Sequence, residues 1–131
     1  MLNQDSIINN YENIILKNNQ NNWEILAKID TGADYSSLDL TLAKKLDLLN
    51  KKKYLGNVFI KNSNGITKRE MYWTEIILKN KKRKIIFNPI DRKNLTYKMI
   101  IGRADLKNFL IKPSQEKLHF LQKITKEKKL D

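Results

Sequence analysis

Apolar residues along this chain recur at every second position, in short runs separated by Asn, Gly and Lys. That period belongs to half-buried strands, since successive side chains of a strand point to opposite faces. "YENIILKN" (11–18), "WEILAKI" (23–29), "YLGNVFIK" (54–61), "TKREMYWTEIILK" (67–79), "KIIFNPI" (84–90) and "YKMIIGR" (97–103) fit it. "NNQNN" (18–22) has turn composition, and "NSNG" between two β-rich runs signals a hairpin. "KNKKRK" (79–84) is expected to be a solvated hairpin turn, and Pro89 to mark the end or edge of a sheet. The period changes once. Asp39 is placed to cap a helix across "LTLAKKLDLL", with Leu42, Leu46 and Leu49 on one face and "NKKK" ending it. "ADLKNFL" predicts a further helical turn, and residues 109–121 a final hairpin turning at Pro113. Residues 1–10 read as a polar, loosely held segment and 122–131 as a charged tail with the pattern of a frayed helix. Between them, residues 11–121 predict one mostly β domain with one or two short helices.

Composition narrows the chemistry. The 131 residues, 40% of them apolar, suit one globular core. Mean hydropathy is −0.59, and no apolar run approaches the ~18 residues of a membrane span. "MLNQDSIINN" lacks a basic and apolar leader, so a soluble, cytoplasmic protein without a membrane partner is expected. There is no cysteine and a single histidine, His119, read as structural within a C-terminal strand. Disulfides, thiolate metal sites and histidine-dependent triads are thereby excluded, and no metal or cofactor is expected. The net charge of +12 suggests nucleic acid as a partner. Lysine greatly outnumbers arginine, however, and Asn and Ile are abundant, as AT-rich coding produces. Arginine is the residue that reads bases bidentately. Tyr72, Trp73 and Phe87, the aromatics interleaved with the basic residues, lie in strand-like runs and read as core.

Two loops carry the candidate chemistry. In "KIDTGADY" an apolar strand runs into Asp30, followed at once by Thr31, Gly32 and Ala33. Gly32 permits a sharp loop with open backbone, and the Thr31 hydroxyl can hydrogen-bond the loop in place. About seventy residues on, "MIIGRADL" repeats the theme: an apolar strand, then Ile101-Gly102-Arg103 and a short helix. Together the two loops resemble the retropepsin-like aspartic peptidases, over about residues 23–121 and in the right order. The closest likeness is to a bacterial branch often labelled ATP-dependent zinc proteases. That label finds no support in the residues, which offer neither zinc-ligand spacing nor a phosphate-binding glycine loop.

The resemblance implies a single acid-protease β-barrel acting as a homodimer. It makes Asp30 the catalytic aspartate, and Thr31 and Gly32 the loop residues that interlock with the second subunit. Asn62, Ser63, Asn64, Gly65 and Ile66 match the flap tip, and Asp34 and Arg103 a salt-bridged pair bracing the active-site loop. Ala104-Asp105 departs from the more usual acidic or amide residue after Gly-Arg, and the flap tip carries one glycine. Only one Asp-Thr-Gly is present, whereas the chemistry needs two carboxylates sharing one proton, so two copies must meet. Ala33 cannot donate the hydroxyl hydrogen bond that Ser or Thr would, which implies activity reaching toward mildly acidic or near-neutral pH. An extended polypeptide would be the substrate, laid in as an added strand. Two alternatives stay open: a non-catalytic peptide-binding or dimerisation module of the same fold, and a small basic nucleic-acid binder whose affinity falls steeply with salt.

Overall fold

The structure is a computed structural model and describes residues 6–112 and 127–130. The chain runs β1 (Ile7–Ile8), β2 (Tyr11–Asn18), β3 (Asn21–Asp30), β4 (Ser36–Asp39), α1 (Leu40–Lys45) and a 3-10 turn (Lys51–Lys53). It continues with β5 (Tyr54–Asn62), β6 (Gly65–Leu78), β7 (Lys81–Ile90), β8 (Met99–Gly102), a second 3-10 turn (Arg103–Asp105), β9 (Leu110–Ile111) and β10 (Lys128–Leu130). Six strands close a barrel in the order β3-β2-β6-β7-β4-β8, with β8 returning to pair with β3. Closure leaves no free edge within the ring. β5 is added outside it as the partner of β6, and β10 as a partner of β3.

The alternation fills the barrel. Ile14 and Leu16 of β2, Ile25 and Ile29 of β3, Ile76 and Leu78 of β6, and Ile85 and Phe87 of β7 all join one buried cluster. Phe87 is fully buried and Tyr72 stacks on it, so these two aromatics serve the core. Trp73 is half-buried, with the Lys53 and Lys84 ammonium groups over its ring.

Four local expectations need correction. The helix stops at Lys45, well short of residue 49. Asp39 caps it as expected, accepting from the Leu42 N–H at 3.1 Å. At its other end Asp47 takes φ +56°, and Asp47 N and Leu48 N donate back to the carbonyls of Lys44 and Ala43. This Schellman closure turns the chain, so Leu48 reaches the core from beyond the helix. Asn18 also donates to the Leu46 carbonyl at 2.7 Å, satisfying a helix-end acceptor. Of "KNKKRK", only Lys79 and Asn80 form the turn. Both have positive φ, the backbone of a tight I′ hairpin, so residues 81–84 extend β7. Of the N-terminal segment, residues 6–10 are described and are tied down: β1 pairs parallel with β9, and Ile8 is fully buried in the core. At the other terminus Lys128–Leu130 form a strand against Asn22–Glu24 of β3, and Lys45 ion-pairs with Glu127. The reading of that tail as a helix ignored an available partner edge. The hairpin expected at Pro113 and His119 lie outside the described residues.

Candidate active site

β3 delivers Asp30 to the rim of the barrel. Ile25, Ala27 and Ile29 point into the core, so the next residue, Asp30, falls on the other face at the strand's end. There the chain turns, Ala33 N donating to the Asp30 carbonyl at 3.2 Å. Gly32 N donates to Asp30 Oδ1 at 2.9 Å, which fixes the carboxylate and leaves Oδ2 without a hydrogen bond to any described residue. A Cβ on Gly32 would sit 3.2 Å from that same Oδ1, so a side chain there would press on the carboxylate.

The second loop crosses the first at Gly102, which is the parallel partner of Asp30. A Cβ on Gly102 would lie 2.5 Å from the Tyr35 carbonyl oxygen, a backbone atom that cannot swing aside. Arg103 N donates to the Ala33 carbonyl at 2.7 Å and Ala104 N to that of Asp34 at 3.1 Å. The Arg103 guanidinium ion-pairs with Asp34 and reaches the Thr31 carbonyl at 3.4 Å. The pair predicted from sequence is thus formed, and it straddles the Asp30 turn. Thr31 departs from expectation. Its hydroxyl has no hydrogen bond to a described residue, because backbone donors and Arg103 already hold the loop.

A further latch went unseen in the sequence. Ser36 Oγ accepts from Gly102 N at 3.0 Å and donates to Asp105 Oδ2 at 2.6 Å. The unusual Asp105 therefore closes the second loop onto β4. Burial pushes its carboxyl above the ordinary range, against the opposing pulls of the Ser36 hydrogen bond, the Ile86 backbone and the Arg83 charge.

β5 and β6 form the predicted flap hairpin, with Ser63 and Asn64 as its turn and Gly65 at φ +119°. Asn64 N donates to Asn62 Oδ1 at 2.9 Å, and Ile66 stands 70% exposed. Lower on the hairpin, Ile60 and Arg69 face Ala33, Asp34 and Tyr35 across a cleft of about 280 Å³. Asp30, Thr31, Gly32 and the flap-tip residues are not in its lining, although Ala33, Asp34 and Tyr35 are. Sequence reasoning also missed Arg92, which lines the cleft while only 8% exposed. Burial lowers its pKa, opposed by the Asp39 and Asp30 carboxylates. Among the described residues no group of three or more metal-ligating side chains comes together.

The sequence matches no protein-family model and no curated protein. The fold is similar to several solved structures. One is a protein of unknown function (DUF785) from Legionella pneumophila, 20% identical, with a TM-score of 0.54 over 83% of this chain and 92% of that one. Another is a retropepsin-like aspartic protease from Rickettsia conorii, 22% identical, with a TM-score of 0.51 over 76% and 78% of the two chains. A third is the simian foamy virus protease, 12% identical, with a TM-score of 0.52 over 73% and 90%.

Proposed function

From a chain with the retropepsin-like fold and a single Asp-Thr-Gly loop at the barrel rim, we propose an aspartic endopeptidase that works as a homodimer. The observation that carries this reading is the state of Asp30: one carboxylate oxygen fixed by the Gly32 N–H, the other open, on a loop latched by Gly102 and Arg103. Such a carboxylate is held in position yet free to take a proton. Two copies brought together supply the acid and base that one chain lacks.

In the reaction, the ionised member of the Asp30 pair takes a proton from water as the oxygen attacks the scissile carbonyl carbon. The protonated member gives its proton to the carbonyl oxygen, producing a neutral gem-diol. Collapse breaks the C–N bond as the ionised carboxylate takes a proton from a gem-diol hydroxyl and the protonated carboxyl gives its own to the leaving nitrogen, releasing a carboxylic acid and an amine. The shared proton is restored, so no cofactor is consumed. The hairpin and the Ala33–Tyr35 segment border a cleft where an extended chain can lie as an added strand.

The test compares wild type with Asp30→Asn on a denatured protein substrate from about pH 3 to 8. Hydrolysis by wild type, lost by at least about a thousandfold in a folded variant, is the expected outcome. Absence of hydrolysis by a folded wild type would instead favour the peptide-binding module.

A further inference from the structure

We propose that the cleft beside Asp30 is an acidic-residue subsite, in which Arg92 and Arg69 receive the side-chain carboxylate of a glutamate in the bound peptide. The proposal rests on the peptide-groove reading above and names the substrate class within it.

Arg92 is the anchor. Its backbone N donates to Asp39 Oδ1 at 2.8 Å and its Nε to the Tyr97 carbonyl at 2.9 Å, which fixes the side chain against the cleft wall. Its two terminal nitrogens make no hydrogen bond to a described residue. A guanidinium this deeply buried with free forked donors has a geometry matched to a carboxylate. The nearby carboxylates do not fill that role. Asp39 gives Oδ1 to Arg92 N and Oδ2 to Leu42 N, Asp34 pairs with Arg103, and Asp30 acts on Arg92 through its charge without a hydrogen bond or ion pair to it.

Arg69 supplies the second charge from the opposite wall. It lies opposite Val58 on the hairpin, and its guanidinium has no hydrogen bond or ion pair to a described residue. Beside the two arginines the cleft is lined by Ile60, Ile90 and Ile100, with Ser37 and Asn88 as its neutral polar groups. Apolar walls with a cationic end suit a short methylene stem carrying a negative head, which describes glutamate. The volume, about 280 Å³, falls below the ~300–1,000 Å³ of ordinary small-molecule sites and suits a side chain.

The experiment uses the full chain as Asp30→Asn, so that bound peptide is not turned over. It is immobilised and offered extended peptide libraries in which each position in turn is fixed as Glu or Gln, with amidated or free C termini. One position should show at least about tenfold higher retention for Glu than for Gln, with amidated ends. Adding Arg69→Gln, or separately Arg92→Gln, should abolish that preference. If Arg92→Gln does not fold, as judged by circular dichroism, the half-buried Arg69 decides alone. Peptides retained without a positional Glu preference, or a preference that survives Arg69→Gln, overturn the subsite. A preference seen only with free C termini assigns the arginines to a terminal carboxylate and overturns it too. Retention of no peptide at all sinks the groove reading itself, and the subsite with it.

Discussion

Asp105 spends its hydrogen-bonding capacity holding two loops together, and pays for it in desolvation. Because its folded-state pKa is raised, the neutral form is the one that the fold favours. The resulting loss of stability is absent below the unfolded value of about 3.9, grows as pH rises above it and is complete once pH has passed the folded value. Asp105→Asn keeps an acceptor for the Ser36 hydroxyl but cannot ionise. Its urea midpoint should therefore match wild type at about pH 3 and exceed it by about pH 7. A variant less stable at neutral pH would show that Arg83 and the Ile86 backbone dominate. Asp30, Gly32, Gly102 and the Asp34–Arg103 pair were legible because they sit in short motifs. Ser36–Asp105 and Arg92 were not, since the resemblance assigns no role to Ser36 or Asp105 and Arg92 acquires meaning only once the fold assembles the cleft it lines.

At the scale of elements, periodicity located five of the six barrel strands but failed at their ends, and β4, buried at all four residues, shows no alternation. Leu46, Leu48 and Leu49 prolong an apolar pattern that the backbone does not follow, because Asp47 adopts a left-handed conformation between them. That conformation costs a side-chain-bearing residue stability that glycine does not lose. Asp47→Gly should raise stability by about 0.5–1 kcal/mol in urea unfolding, leaving the helix length unchanged. The basic run 79–84 misled for a related reason. Lysines on the outer face of a strand look like a loop in composition, while the turn itself needs only two residues of positive φ. The terminal strands escaped notice because two or three residues carry no period at all.

The described residues form a closed barrel with one hairpin, β5 and the tip of β6, reaching out from it. Phe59 and Ile66 of that hairpin are 71% and 70% exposed, apolar surface that the single chain leaves in solvent. In the proposed reading a second copy completes the catalytic pair. Hydrolysis per unit protein should then climb with concentration and level off once dimers saturate. A flat dependence, together with a monomer by light scattering, counts against the shared dyad.

The latch between the two loops also sets a schedule. Asp34 and Arg103 are 69 positions apart, so the ribosome must add most of the barrel after the Asp30 loop before its brace exists. At about 5–20 residues per second, that interval is roughly 3–14 s. Throughout it the Asp30 loop lacks both the parallel strand beside it and the arginine that straddles it. A chain halted before Gly102 carries the whole Asp-Thr-Gly motif with only its own Gly32 and Ala33 N–H bonds and without the brace of the second loop. Hydrolytic competence, on this reading, cannot precede the synthesis of Gly102 and Arg103.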